Sequence, residues 1–513
     1  MNPPADERAI VAVDLGAQSC RVSLLRWREG EPRVELVSRI PNAPVFHDGE
    51  LRWNLTALCQ AADEGLRRCA AIAEEGIAAV GVTGWAVDYV RLESHLESRT
   101  ADGAPSLPIA DPFCYRAART TFAFQQVHRR ISPERLYALT GIQGLPLNTL
   151  YQLFADNTTG VPKNLRWLNL PEYMLYRWGA RPVAEYTNAT HTGMVEFGTK
   201  QWSPEIFRAA GIDLAAAPQI VPPGSIVGLL RGSLSELPAL RDTLLVAPAC
   251  HDTASAIAGI PAQGDDWAYI SSGTWSLVGT VLERPCASPE AARLGFTNEG
   301  GIGGSICFLR NVNGLWLLSQ CEEAWQAAGE RWTTEDLIDA AEKLPRPQFL
   351  LDVDDPEFIA PQEMPQKIAR QLERNYGIAA AAISSPPAVA NLIFHSLAAR
   401  YATCLREVEA LSGKRFKRLF IVGGGSRNRL LNRLTQQATG LALECGVSES
   451  STIGNFAVQI SALTEQTQST ANNGPHRETV AFWAGKLLES QHAFSGTKTA
   501  PPLSAAAMKE NHS

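Results

Sequence analysis

The sequence predicts an α/β protein of two related domains that face one another, divided near residue 245. Three observations lead there. A β-rich start at residues 9–16 recurs in kind at 243–247 and 268–282. Val13-Asp14-Leu15-Gly16-Ala17-Gln18-Ser19 can be laid on Ile270-Ser271-Ser272-Gly273-Thr274-Trp275-Ser276, which shares its apolar lead, its glycine and its serine. The chain has 513 residues, 45% apolar and 19% charged. That is more than one small core needs at about 150 residues per domain, and too apolar for general disorder.

The elements follow in order. Residues 9–16 (AIVAVDLG) are an apolar run, and 21–27 and 33–40 alternate, which predicts antiparallel strands joined by tight turns. Leu55, Leu58, Cys59, Ala62, Leu66, Cys69 and Ala73 recur at helical spacing, with Gly76 as a stop. Residues 78–82 form a buried strand ending at Thr83-Gly84-Trp85. Residues 105–165 hold helices broken at Gly141, Gly144 and Pro146, and 180–242 hold loops with short elements. A second start is the strand 243–247, leading to Cys250-His251-Asp252-Thr253 and a small-residue helix. Residues 268–282 read as two strands around Ser272-Gly273-Thr274. Val389, Leu392, Ile393, Leu397, Cys404, Val408 and Leu411 mark a long helix ending near Gly413. Strand 419–422 runs into Gly423-Gly424-Gly425, followed by helix 428–438, strand 442–445 and helix 453–463. The expected organisation is therefore a domain over 1–245, a second over 246–494, and a frayed tail over 495–513.

Net charge is −7 and no long basic run occurs, which argues against a nucleic-acid partner. An anion must be bound locally, by backbone N–H groups, a few basic side chains or a metal ion. The ten cysteines form no CxxC pair, so reduced, mostly buried thiols are expected and zinc is not. The start MNPPADERA lacks the basic and apolar regions of a signal peptide, and no apolar run reaches the ~20 residues of a membrane span. A cytoplasmic setting without membrane partners is expected.

Chemistry could sit at four places. Asp14 ends a buried strand beside Gly16, small neighbours and Arg21. That suits a phosphate cradle with the acid near a metal ion, and equally a plain hairpin with a turn aspartate. The Gly273-Thr274 turn offers a second cradle or a Ser/Thr-rich turn. Gly423-Gly424-Gly425, between strand and helix, permits flat approach of a ring or phosphate, or only tight packing. Asp252 could accept a proton from an attacking hydroxyl, or cap the helix after it. Neither a Walker A loop nor a Rossmann G-x-G-x-x-G in its setting is present.

Taken together these stretches resemble the rhamnulokinase branch of the FGGY carbohydrate kinases, over nearly the whole length. The matching motifs are AVDLGAQSCRV (12–22), YRAART (115–120), GIQGLPLNTLYQL (141–153), EYTNATHTGMV (185–195), CHDTASA (250–256), AYISSGTWSLVG (268–279), FTNEGG (296–301), LRNVNGLWLL (309–318) and IVGGGSRNRLLNRLTQQATG (421–440). The resemblance implies two actin-like (ribonuclease-H-like) ATPase domains, sugar-binding then nucleotide-binding, with ATP and Mg²⁺ in a central cleft. It implies phosphorylation of L-rhamnulose at its 1-hydroxyl. It implies Asp252 as proton acceptor, and Ala17, Gln18, Ser19, Cys20, Arg21, Thr274 and Gly424 at ATP. Ala86, His251, Asp252, Thr253 and Asn311 would meet the sugar, and Asp14 the metal. Sugar and ATP would be the partners of a monomer or homodimer. Three departures stand out. Thr83-Gly84-Trp85-Ala86 replaces the family's Asp-Thr-Trp-Gly, so L-fuculose or L-xylulose as substrate, or a non-catalytic sensor, stays open. Ser319 stands where the family has Gln, with Gln320 adjacent. Thr435 and Thr439 replace a cysteine pair, so no bridge is expected there.

Overall fold

A computed structural model describes residues 6–47, 49–93, 105–378, 385–446, 449–465 and 474–495. The expected tail beyond 495 lies outside them. Two six-stranded mixed sheets form the frame. The first contains β1 (Ala9–Leu15), β2 (Ser19–Arg28), β3 (Glu31–Pro41), β4 (Ile77–Gly84), β5 (Ser225–Leu229) and β6 (Leu244–Ala247), in the order β5-β6-β4-β1-β2-β3. The second contains β7 (Trp267–Ser272), β8 (Trp275–Leu282), β9 (Phe296–Gly300), β10 (Ile306–Asn313), β11 (Arg418–Val422) and β12 (Ala442–Cys445), in the order β9-β10-β8-β7-β11-β12.

The two sheets share one plan. In each, the opening strand turns back antiparallel on the next and pairs in parallel with a strand reached through a helix. Asp14 thus lies between Arg21 and Thr83, and Ser271 between Leu277 and Val422. The likeness between residues 13–19 and 270–276 marks the same hairpin in both sheets. The additions differ: β5 extends one end of the first sheet, and β9 the opposite end of the second.

Why β1 reads as an unbroken apolar run is visible in its packing. All seven of its residues are buried. Ala9, Val11, Val13 and Leu15 join a core with Leu58, Ala62 and Leu66 of the Leu55–Ile72 helix. Ile10 and Ala12 point the other way, toward Ile453, Phe456, Ala457 and Ile460 of the Ser450–Glu465 helix. A strand covered on both faces has no polar alternation to show. The Asp252–Ala258 helix lies between the sheets. Its Ala254 and Ala258 pack with the first, and Ala256 and Ile257 with Tyr269, Leu309 and Phe420 of the second. The long helix Pro386–Ser412 covers the outer face of the second sheet through Val389, Leu392, Ile393, Leu397 and Cys404.

Between these frames the chain adds short elements. Helices Thr120–His128, Pro133–Thr140 and Thr149–Thr158 occupy the expected broken stretch, with Gly141 as a left-handed stop (φ 64°). The helices Trp316–Ala327, Thr334–Ala341 and Met364–Tyr376 carried no sequence expectation. All ten cysteines are free thiols, and only Cys445 is exposed. Among the described residues no helix is long and apolar enough to cross a membrane.

Candidate active site

The parallel strands β1, β4 and β6 are neighbours, so their carboxyl ends open on one crevice, the usual place for ligands in such sheets. Asp14 arrives from β1, Thr83-Gly84 from β4 and Cys250-His251-Asp252 from the segment after β6. The Gly84 N–H donates to the Cys250 carbonyl at 2.9 Å, and Gly84 bridges to His251. A β-carbon at Gly84 would stand 2.9 Å from that of Leu15, so close packing of the strand ends requires glycine there.

Asp14 is 2% exposed, and its Oδ2 accepts from Arg21 Nη2 at 2.8 Å and from Ser451 Oγ at 2.6 Å. Arg21 also pairs with Glu449. Glu449 and Ser451 follow β12, so the second half of the chain closes onto the first at this acid. In the turn between β1 and β2, Gly16 N–H donates to Ser19 O at 3.0 Å, and Asn42 N–H donates to Gln18 O at 2.9 Å. Gln18 is exposed and Ala17 half-buried. The Cys20 thiol is buried in the core, which pushes it up to about 12, so Cys20 offers only backbone to this turn.

Asp252 opens the helix between the sheets. Its side chain keeps 38% of its surface exposed, and Thr253 Oγ1 donates to it at 3.4 Å. Partial burial and then the nearby charge of Asp14 push it up to about 7; the open face tempers the rise without changing its direction. His251 precedes it as a buried residue with Nε2 3.4 Å from Asp252 Oδ1.

On the second sheet, Thr274 is exposed at the β7–β8 turn, whose Gly273 and Thr274 carbonyls accept from Leu315 N at 3.0 Å and Trp316 N at 3.1 Å. The three glycines divide their work. A β-carbon at Gly423 would stand 2.7 Å from Ser272 O, and one at Gly425 would overlap the Ser272 side chain. Gly424 is exposed, with nothing near its missing β-carbon. Packing therefore explains two glycines and leaves the middle one facing open space. The α-helix expected from residue 428 starts at Arg429, after a 3₁₀ turn over Gly424–Arg427, with the Asn428 side chain accepting from Leu431 N. The glycines thus lead into a 3₁₀ turn, not directly into the helix N-terminus. Asn311 is half-buried on β10 opposite Leu277, with β8 between it and β7.

Two features were not legible as site residues. Asp88 is fully buried and gathers four donors: Trp53 Nε1 at 2.6 Å, Trp85 Nε1 at 3.0 Å, Tyr115 N at 3.1 Å and Gln152 Nε2 at 3.0 Å. It fixes the turn after β4, where Val87 adopts φ 73°, a costly value for a β-branched residue, and is held by Thr149 Oγ1 on its carbonyl at 2.7 Å. Glu299, on β9, is 1% exposed between His191 and His251. The Asp88-Tyr89-Val90-Arg91 and Thr297-Asn298-Glu299-Gly300 strings look locally like ordinary strand ends. The departures also resolve. Thr83 is fully buried, with Oγ1 donating to Val13 O at 3.4 Å, so its side chain faces the sheet. Ala86 is 6% exposed. Gln320 is buried, donating to Glu323 and accepting from Gln362 N, while Ser319 is exposed.

Among the described residues no three His, Cys, Asp or Glu side chains gather as a metal cage. Mg²⁺ needs none where substrate phosphates and water complete its shell around one or two carboxylates. Asp14, a buried acid beside the β1–β2 turn, fits that donor set.

Comparison with known proteins agrees with this arrangement. The N-terminal domain of the FGGY family of carbohydrate kinases matches residues 9–259, and the C-terminal domain of that family matches 268–463. Rhamnulokinase from Enterococcus faecalis is 34% identical over 468 residues, 90% of each chain. Rhamnulokinase from Bacteroides thetaiotaomicron is 34% identical over 459 residues, 89% of this chain and 91% of that one. Among solved structures, a xylulose kinase from Lactobacillus acidophilus superposes with TM-score 0.70 at 14% identity, covering 95% of this chain and 98% of that one. A Plasmodium falciparum glycerol kinase with ADP gives TM-score 0.72 at 12% identity, covering 93% and 92%. These two support the fold alone: paired actin-like domains. With both family domains matched in order and relatives above 30% identity along its length, the chain belongs to the FGGY family of carbohydrate kinases and is an ATP-dependent sugar kinase.

Proposed function

We propose that the enzyme transfers the γ-phosphoryl group of ATP to the 1-hydroxyl of L-rhamnulose, giving L-rhamnulose 1-phosphate and ADP. The observation that carries the chemistry is Asp252, a half-open carboxylate between the two sheets, close enough to Asp14 to feel its charge. The sugar is favoured by the rhamnulokinase relatives at 33–34% identity.

Phosphoryl transfer asks for in-line placement and charge neutralisation more than for covalent help. Asp252 accepts the proton of the 1-hydroxyl as its oxygen bonds to the γ-phosphorus and the bond to the β-bridging oxygen of ADP breaks. A carboxyl lifted to about 7 suits such a base at neutral pH. Backbone groups from Ala17 to Arg21 and at Thr274 and Gly424 hold the nucleotide, with the Arg21 guanidinium adding positive charge. His251, Thr253, Asn311 and the backbone at Ala86 hold the sugar. Asp14 would hold Mg²⁺, which supplies charge neutralisation at the phosphates when bound.

The methyl of Ala86 favours a second reading, another ketose such as L-fuculose or L-xylulose. With Thr83 turned into the sheet and Gly84 set by close packing on Leu15, Ala86 is left among the three changed positions of this stretch to alter sugar choice. A sugar panel in a coupled ADP-release assay decides: L-rhamnulose should turn over fastest, and equal or faster turnover of another sugar replaces it. Asp252→Asn should fold normally and lose about 10²–10⁴-fold in turnover. Retention of more than about a tenth of the wild-type rate would refute the base role.

A further inference from the structure

Glu299 comes from the second half of the chain, and the two histidines beside it from the first. Its Oε1 stands 3.4 Å from His191 Nδ1 and its Oε2 3.5 Å from His251 Nδ1. The far nitrogen of His251, Nε2, stands 3.4 Å from Asp252 Oδ1. The two imidazoles are stacked, with ring centres 4.7 Å apart and planes inclined by 19°. Among the described residues, neither Glu299 oxygen and neither Nδ1 has a closer hydrogen-bond partner. Buried polar atoms are rarely left so, which makes the distribution of protons among these groups decisive.

The protons can be counted. A carboxylate only accepts, and a neutral imidazole has one N–H and one bare nitrogen. If Glu299 is ionised, both Nδ1 atoms must carry the protons facing it. His251 Nε2 is then bare and sets a lone pair against the Asp252 carboxylate. If Glu299 is protonated, every contact is satisfied at once. Its Oε2–H donates to His251 Nδ1, His251 Nε2–H donates to Asp252, and His191 Nδ1–H donates to Oε1. We propose that Glu299, in its protonated form, is a positioning residue that fixes the His251 tautomer and through it orients Asp252 for the sugar hydroxyl. The proposal rests on the base role of Asp252. The three distances are at the long limit for hydrogen bonds, and two of them join the two halves of the chain.

The surroundings favour the protonated acid. Burial and then the charge of Asp252 push Glu299 up to about 8. Burial pushes His191 down to about 4, and burial followed by His191 lowers His251, so both rings are neutral. From the second sheet, Tyr269 and Cys307 face Glu299, both raised by burial and uncharged, with Arg477 beyond Cys307. On the first lobe, Asp14 and Arg21 face Asp252, and Glu185 lies behind Cys250, accepting its N–H at 2.8 Å. No Lys or Arg pairs with Glu299 among the described residues.

The test is the pH profile of kcat/KM for wild type, Glu299→Gln and Glu299→Leu, with Asp252→Asn alongside. The wild type should lose activity above about pH 8 as Glu299 ionises and His251 switches its proton to Nδ1. Glu299→Gln keeps a donor and an acceptor but does not titrate. It should retain activity within about threefold at neutral pH and lack the alkaline limb. Glu299→Leu should lose about tenfold or more in kcat with little change in the KM for ATP, and calorimetry establishes that both variants fold. An alkaline limb that persists in Glu299→Gln, or equal kcat in Glu299→Gln and Glu299→Leu, overturns the positioning role while Asp252→Asn remains inactive. An active Asp252→Asn instead removes the reading beneath it.

Discussion

Glu172, Glu185 and Glu299 are each buried to 1% exposure or less, and none pairs with a Lys or Arg among the described residues. Burial pushes them up to about 7, 8 and 8. In the unfolded chain a glutamate releases its proton near pH 4.3. Between that value and the native one the folded state holds more protons, so stability falls as pH rises through the window. His191 and His251 act oppositely, being pushed down in the fold, but their effect ends near pH 6.5, where the unfolded histidines also become neutral. The interval from about pH 6.5 to 7.5, below the range in which unfolded thiols begin to ionise, therefore belongs to the carboxyls. The melting temperature, read by calorimetry, should decline across it, and Glu299→Gln should decline less steeply. A melting temperature that does not fall over the same interval would mean that these acids are ionised in the fold.

At the scale of elements, the helices Asp252–Ala258 and Ser450–Glu465 cross backbone to backbone. A β-carbon at Gly454 would fall inside the Ser255 carbonyl oxygen and 2.9 Å from Gly259 N, atoms that cannot turn aside. Alanine favours a helix over glycine by about 1 kcal/mol. Here the overlap, worth about 1–3 kcal/mol in overpacked cores, opposes and exceeds that gain. Gly454→Ala should lower the melting temperature by several degrees and reduce turnover, because the crossing sets the helix that opens with Asp252 against Ser451, through Ser255, and Ser451 against Asp14. Gly424→Ala, with open space around it, should leave the melting temperature unchanged. If Gly454→Ala melted at or above the wild type, the crossing would be looser than drawn. The contrast also separates what the residues reveal from what they conceal. The apolar runs of β1, β7 and β11 and the turns at Gly16 and Gly273 declare themselves locally, because coverage on both faces and tight reversal impose composition at the site itself. Asp14, Arg21 and Asp252 are readable for the same reason: charge at the mouth of a buried strand is conspicuous. Gly454 and Glu299 are not. Each is dictated by a partner far away in sequence, Ser255 in one case and His191 with His251 in the other. The helices of residues 105–165 are legible as helices but not in their placement, since Asp156, accepting from Tyr89, Arg91 and Arg119, ties its helix to the chain around it through tertiary contacts.

For the molecule as a whole, the first sheet is completed by the end of the chain. The Ser450–Glu465 helix covers Ile10, Ala12 and Ala79 with Ile453, Phe456, Ala457 and Ile460. Its Gln459 Nε2 donates to Val11 O at 3.0 Å and to Asn455 Oδ1 at 2.7 Å, and Asn455 Nδ2 donates to Gly81 O at 3.3 Å. The Arg477–Ser495 helix follows, setting Trp483 edge-on to Trp27 at 5.9 Å and Ser490 Oγ against the Pro32 carbonyl. Residues 1–262 in isolation would expose this apolar face, a patch far from what a soluble monomer tolerates. Such a fragment should lack a cooperative thermal transition and bind a hydrophobic dye, whereas the intact chain should unfold in a single calorimetric transition despite its two sheets. Co-expression with residues 446–495 should restore a sharp melt to the fragment, because the missing cover is contiguous and carries its own buried amide ladder. A fragment of residues 1–262 that melts sharply by itself would show that the sheet is stable without that cover. The closure of Ser451 onto Asp14 would then be a contact between independent domains, not a consequence of one shared core.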